Sequence, residues 1–420
     1  MRKSLAVWLS IPLAIVGMFL DTQAQTPQPI APGPRVDGKG VKPPEGGKLP
    51  EQAQAIFFSA HRALEWLKLT NKPDGRFVYG FQPALRVQLD GDNFQSQAGA
   101  TLALARAGRY FRDGRGAAIA RQAALTLLEL ETMIDPQDAT VRFTAAPPNA
   151  VERLSSHGLL ISAIHELPEA DKSTDLLARA DQLCNYLRQQ QKPDGMLFVT
   201  VGANTLKSGS AEVDAERAGW ALQGIIRSQK HRPAAWKLDM VRRARAAYHA
   251  AWLQSKSLST VCSHAPAYAE AYAQTKDAAF AETVFALNDW LIGLQYREEF
   301  DSQRRHWNGG FRRCSDGKIE QTTPDISSAR CGESLAEACR VARLMGDLPR
   351  YERYEKALLH NLHFLMSLQY TGAKTQHFVE SFRPSILGAF HASHQDGNIR
   401  IDYTQHSLGA MVQYLDAVVE

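Results

Sequence analysis

Asn71-Lys72-Pro73-Asp74-Gly75-Arg76-Phe77 recurs as Gln191-Lys192-Pro193-Asp194-Gly195-Met196-Leu197, and a shorter version returns as Asn308-Gly309-Gly310-Phe311. Asp-Gly gives a tight turn, and the large apolar residue after it packs beneath, so each copy opens a loop in the same way. On both sides of these turns apolar residues fall at helical spacing, in segments of about 15–20 residues. Two kinds of segment alternate. Gln52–Leu69, Gly116–Met133, Asp171–Gln190, Ala234–Leu253, Ala278–Leu294 and Arg350–Leu368 carry charge along one face. Phe94–Ala107, Val151–Leu167, Val213–Ile226, His264–Gln274, Arg330–Leu344 and Tyr403–Val418 are rich in Ala, Gly and Ser. Small residues all round let neighbouring helices approach closely, which suits a helix buried on every side.

The links between segments alternate as well. From a small-residue helix to the next charged one the chain needs only a short link, such as Gly346-Asp347-Leu348-Pro349. From a charged helix to the next small-residue one it takes roughly 20–35 residues in five cases of six. Six hairpins with their long loops on one side predict an all-α fold, an (α/α)6 toroid with small-residue helices inside. In such a ring the long loops and the inner-helix N-termini surround one concave face. The rival is an open solenoid, but TPR-like or HEAT-like repeats run about 34–47 residues with uniform loops.

Composition narrows the class without giving a reaction. The 420 residues are 44% hydrophobic and 22% charged, which argues against a disordered or polytopic membrane chain. The 48 basic and 44 acidic residues form no cationic block, so no nucleic-acid partner is expected. Five cysteines cannot make a disulfide framework, and the odd count leaves at least one thiol over. Cys331 and Cys339 sit two helical turns apart, too far to bridge each other. Cys314 could meet Cys331 or Cys262 across the loop face. Arg2 and Lys3, an apolar run to Leu20 and the small residues Thr22 and Ala24 form the pattern of a signal peptide, residues 1–24. A Pro/Gly-rich tether follows over 25–50, then the toroid over 51–420. The expected destination is export, periplasmic or extracellular, with no membrane association once the leader is cut.

The turn motifs resemble those of squalene-cyclase and prenyltransferase-type α/α toroids. Similar turns mark carbohydrate-active toroids such as pectate lyases and the C-terminal domain of D-glucuronyl C5-epimerases. Each family chemistry implies particular residues. The cyclase likeness maps its proton-donating carboxylate onto Asp92 of Asp90-Gly91-Asp92-Asn93, although Asn93 stands where the last acid belongs. The plain alternative is that Asp92 or Asn93 caps the helix beginning at Phe94. The zinc-binding Asp-x-Cys of prenyltransferases is missing, since Asp325 and Cys331 are six positions apart. Cys331-Gly332-Glu333-Ser334 has Ser where a thioester protein needs Gln. No metal or cofactor is expected.

What remains is a set of ionisable residues at inner-helix starts: Asp92 with Asn93, Glu152 with Arg153, Asp214 with Glu216 and Arg217, Arg330 with Glu333 and Glu337, and Arg400 with Asp402, Tyr403 and His406. Acids favour such positions through the helix dipole. Arg153, Arg330 and Arg400 are opposed by it and need carboxylate partners or an anionic ligand. Asp92, Glu216, Asp402, Tyr403 and His406 are the catalytic candidates. Asn93, Arg153, Arg330, Glu333 and Arg400 are the binding candidates, with the loop aromatics Tyr79 and Trp307. A Tyr/His/Arg/carboxylate group can remove a proton next to a uronate carboxyl, and two acids across a cavity can hydrolyse a glycoside. The leading reading is a protein that acts on or binds a polar or acidic saccharide by lyase, epimerase or hydrolase chemistry. The others are a terpenoid-cyclase-like enzyme using Asp92 and a non-catalytic scaffold or peptide-binding ring. Oligomeric state cannot be read from the sequence.

Overall fold

The computed structural model describes residues 49–144, 153–198, 210–297, 302–315 and 317–419. The expected leader, nearly all of the tether and Glu152 lie outside them. The outer helices are α1 (Glu51–Thr70), α3 (Gly114–Glu131), α5 (Thr174–Gln189), α7 (Ala235–Gln254), α9 (Ala278–Ile292) and α11 (Leu348–Ser367). The inner ones are α2 (Phe94–Tyr110), α4 (Arg153–Glu166), α6 (Ala211–His231), α8 (Leu258–Thr275), α10 (Ser328–Met345) and α12 (Ile401–Val419). Most starts are fixed locally: Asn93, Asp113, Ser173, Ser210, Ser257, Asp277 and Asp347 each accept a first-turn backbone N–H on the side chain. Helix α8 begins at Leu258, six residues before the segment read from the sequence, because Ser257 caps it within a polar stretch that reads as loop.

The inner helices pack in sequence, α2 on α4, α4 on α6, α6 on α8, α8 on α10 and α10 on α12, and α12 returns to α2. That last contact makes the ring; an open solenoid would leave α12 and α2 apart. The quoted turn helps to close it. Gly75, Gly195, Gly309 and a fourth copy at Gly388 all have φ between 85° and 96°, where a side chain is disfavoured. At Gly195, Gly309 and Gly388 the turn lies against a carbonyl of the next outer helix, those of Arg243, His360 and Arg62. An amide side chain ties each turn down. Gln191 donates to Met240, Gln295 to Ala357 and Gln369 to Ser59, at 2.8–3.0 Å. The last of these joins α11 to α1, the two ends of the outer ring.

The loops are not purely irregular, as an all-α reading implied. Strands β1 (Gly80–Gln82), β2 (Val87–Gln88), β7 (His391–Ser393) and β8 (Asp396–Arg400) form one antiparallel sheet in the order β2-β1-β8-β7. Its central pairing, Gly80 with Arg400, again spans the ring closure. Hairpins β3 (Thr132–Asp135) with β4 (Asp138–Thr144) and β5 (Arg313–Ser315) with β6 (Lys318–Glu320) stiffen two other loops.

Inner helices approach each other backbone to backbone at Gly158. A methyl group there would overlap the backbone of Trp220 and Ala221 on α6. Backbone cannot swing aside, so Gly158→Ala is expected to lose about 1–3 kcal/mol or more through overpacking. Gly114→Ala, where nothing lies within 4 Å, is the control that should leave the melting temperature unchanged.

Towards their C-termini the inner helices meet in a buried ionic cluster. Glu166 of α4 receives Arg227 of α6 at 2.7 Å, Arg109 of α2 at 3.2 Å and Arg106 of α2 at 3.4 Å. Arg340 of α10 bridges Glu337 at 2.6 Å and Glu270 of α8 at 3.2 Å. Charged side chains thus fill that end of the ring, leaving the other end for a cavity. Buried histidines add a pH dependence. His157 accepts the N–H of Thr144 at 3.0 Å, and His264 sits between the Tyr268 hydroxyl and the Ala215 carbonyl. Burial pulls the two imidazoles from 6.5 down to about 3 and about 4. A depressed folded value means their contribution is complete above 6.5 and is lost as pH falls from there towards 4. Melting temperatures should therefore drop between pH 7 and pH 4, and His264→Gln should flatten that slope.

Candidate functional site

At the N-terminal ends of the inner helices a cavity of about 610 Å³ opens between the loops. Helix α2 contributes Asn93, Gln95 and Ser96, α4 gives Leu159 and α6 gives Trp220. The long loop before α10 supplies Arg313, Asp325 and Ser327, followed by Arg330 on the helix itself. The β7–β8 hairpin adds Ser393 and Asp396, and α12 supplies Asp402, Tyr403, Gln405 and His406 beside Arg400. Polar and charged side chains dominate this wall, while Trp220 and Leu159 provide apolar faces.

Three arginines in the wall each have a carboxylate partner. Arg400 makes a two-bond fork with Asp402, at 2.8 and 2.6 Å, and its guanidinium lies over the rings of Tyr403 and Tyr79 at 4.8 and 5.1 Å. Arg330 pairs with Glu216 of α6, whose charge outweighs burial and raises the arginine further above its usual range. Arg313 pairs with Asp325, which also holds the turn at Ser327. The dipole that opposes cations at helix starts is met here by carboxylates, as the sequence required.

His406 is differently placed. Its Nδ1 meets the Glu333 carboxylate at 2.7 Å, its ring lies 5.6 Å from that of Trp220, and Glu333 is anchored from behind by Arg106 at 3.9 Å. Gly409, one turn along α12, leaves room for that carboxylate, because a Cβ there would overlap Glu333 Oε1. With Nδ1 engaged, Nε2 is the nitrogen left for the cavity. Burial raises the Tyr403 phenol above 10.0 against the opposing charge of Arg400, so it remains a proton donor at neutral pH.

Of the catalytic and binding candidates named from the sequence, Asn93, Arg330, Arg400, Asp402, Tyr403 and His406 stand in this wall. Glu333, Glu216 and Tyr79 back it, through His406, Arg330 and Arg400 respectively. Three others are outside it. Asp92 turns to Arg76 and to Gln97, at 2.9 and 2.7 Å, tying the start of α2 to the first loop. Arg153 rests over Phe143 at 4.7 Å, so among the described residues an aromatic face meets its charge. Trp307 packs against Tyr296 and Arg304 in a neighbouring loop. Asn93 is both cap and wall residue, its side chain accepting the Ser96 N–H at 2.8 Å. Sequence reasoning missed Trp220, which sits in the middle of the inner helix read as Val213–Ile226, and Arg313, Ser393 and Asp396, which belong to hairpins it did not foresee. Among the described residues no group of three or more His, Cys, Asp and Glu is arranged to hold a metal ion, and no helix is long and apolar enough to cross a membrane.

No protein-family model matches the chain, and no curated protein matches it. Solved structures do. The chain is similar to a D-mannose isomerase at 12% identity and a TM-score of 0.63, over 88% of this chain and 100% of that one. It is similar to a cellobiose 2-epimerase from Bacillus thermoamylovorans at 10% identity and a TM-score of 0.65, over 87% and 99% of the two chains. An unsaturated glucuronyl hydrolase from Bacillus sp. GL1 matches at 13% identity and a TM-score of 0.58, over 87% and 98%. The chain has the α/α-toroid fold of carbohydrate-active proteins. At such identities the likeness is one of architecture, and the reaction has to be argued from the toroid's own cavity.

Proposed function

We propose that the toroid is an exported enzyme that binds a polar or acidic saccharide in the cavity and removes a proton from a carbon next to a carbonyl or carboxyl group. The observation that carries this reading is the His406–Glu333 pair facing a polar cavity beside Trp220. Glu333 fixes the tautomer by accepting from Nδ1–H, so Nε2 presents its lone pair to substrate and the carboxylate steadies the imidazolium that forms. Trp220 is 5% exposed, and the part of it that lines the cavity gives a sugar ring an apolar contact. Arg330 and Arg400 flank the site with fixed positive charge where an enolate or uronate oxygen gains negative charge. Tyr403 can return a proton or assist a leaving group. Lyase and epimerase chemistry share this proton removal and diverge after it, the first expelling a leaving group and the second returning a proton to the opposite face.

Hydrolysis has less support. It needs one carboxylic acid kept protonated opposite a second, ionised carboxylate. Asp325 and Asp402, like Glu216 behind the wall, are each already occupied by an arginine, and the remaining wall carboxylate, Asp396, accepts the Asn398 N–H. Cyclase chemistry through Asp92 has less still, because that carboxylate is bound to Arg76 and lies outside the cavity wall.

A thermal-shift screen of the purified chain tests the ligand class. Neutral disaccharides, galacturonate, glucuronate and mannuronate oligomers and an apolar polyprenyl ligand are compared at equal concentration. A saccharide that raises the melting temperature of the wild type, but not of an Arg330→Gln variant, supports the reading. Stabilisation by the polyprenyl ligand alone would reject it.

A further inference from the structure

The five cysteines are not equivalent. Cys262 of α8 and Cys331 of α10 face each other in the core, Sγ to Sγ at 3.5 Å, and both are at most 3% exposed. Cys314, the partner considered from the sequence, instead points its sulfur at the Lys256 carbonyl, also at 3.5 Å. Cys331 directly follows Arg330, so the thiol pair lies just behind the cavity wall. A disulfide needs the sulfurs at about 2.05 Å, so the two side chains have to move together across an existing helix contact.

We infer that Cys262 and Cys331 form a disulfide when the chain meets an oxidised small-molecule disulfide, stapling α8 to α10 behind the Arg330 wall. The inference is independent of what the cavity binds. The exchange runs in two steps. One cysteine thiolate attacks the disulfide of oxidised glutathione, forming a mixed disulfide and releasing one glutathione thiolate. The second cysteine thiolate then displaces the other glutathione. Two cysteine protons pass to the two glutathione thiolates, the cysteines are oxidised, and one oxidised glutathione is reduced to two thiols. Burial pushes the Cys331 thiol well above its ordinary value, so attack from the closed native state is slow. The bond forms during folding, or when the α8–α10 seam opens on warming. It closes a loop of 69 residues, which restricts the unfolded chain and should raise the melting temperature by about 5 °C.

The test counts thiols on the full chain, reduced and unfolded and then refolded in a glutathione redox buffer. A parallel sample stays folded and is warmed in the same buffer to just below its melting point. Alkylation in denaturant followed by mass spectrometry should find five modified cysteines after reduction and three after oxidation, with one linked peptide pair containing Cys262 and Cys331. Cys262→Ser and Cys331→Ser should each keep all four remaining thiols free in the oxidising buffer and lose the gain in melting temperature. Circular dichroism under reducing conditions confirms that both variants fold. Five free thiols in both oxidised samples, a bridge to Cys314, Cys184 or Cys339, or a melting temperature that does not rise on oxidation would overturn the inference.

Discussion

Glu166→Gln is expected to cost about 3–5 kcal/mol of stability, the range for removing one partner from a buried ion group. The carboxylate is 4% exposed and receives Arg227, Arg109 and Arg106, so it is the negative centre for three cations. Glutamine has nearly the same shape and can still hydrogen-bond, so the loss isolates the charge. Arg227 and Arg106 would be left in the core without that counter-charge, and the second of these also anchors Glu333. Burial alone would raise the Glu166 carboxyl, but Arg227 first and then Arg106 and Arg109 reverse this and hold it far below its ordinary 4.5. A folded value depressed in this way means the stabilisation is present above 4.5 and is lost as pH falls towards the depressed value. Urea unfolding at pH 7 and again below pH 4 measures both parts. The variant should be much weaker at pH 7, with a smaller further loss in acid than the wild type. A difference under about 1 kcal/mol at pH 7 would mean the cluster is not what holds the inner helices at that end.

His406→Asn is the second large effect, and it falls on turnover rather than stability. Asparagine keeps a polar group near Glu333 but cannot accept a proton. Loss of a general base typically costs 10²–10⁴-fold in rate. On whichever saccharide the wild type transforms, kcat should fall by that order while KM changes little, because Trp220 and the arginines still bind the ring. Glu333→Gln should lower kcat less, since it leaves the imidazole present but badly oriented. Equal kcat in wild type and His406→Asn would remove His406 from the reaction.

The ring was largely legible from the sequence, because its causes are local. Helical periodicity, Ala/Gly/Ser-rich inner segments and alternating link lengths give six hairpins, and Gly75 and Gly195 mark turns that the structure uses to dock successive outer helices. The strands were not legible. Residues 80 and 400 pair only because the ring brings its two ends together, and the strands of that sheet, two to five residues each, carry no period of their own. The candidate site divides in the same way. Arg330, Arg400, Asp402, Tyr403 and His406 were readable as charged helix starts on one face. Asp92 occupies an equivalent start, yet Arg76 and Gln97 draw its carboxylate aside, a competition that spacing does not reveal. The partnership of His406 with Glu333 spans 73 positions, and that of Arg330 with Glu216 spans 114. Neither can be seen before the helices are packed. Nothing in the sequence sets Trp220 apart from the rest of its helix, and the ring geometry is what brings it to the cavity.

Proton removal by His406 is tested most directly by solvent deuterium. A saccharide that stabilises the protein is incubated with wild type and with His406→Asn in D2O, and the sugar is followed by NMR. With the wild type, the expected result is either deuterium at the ring carbon beside the carbonyl or carboxyl group, or a double bond formed at that carbon. His406→Asn should bind the same sugar and do neither. Hydrolysis products without deuterium or unsaturation, or undiminished exchange in His406→Asn, would contradict it.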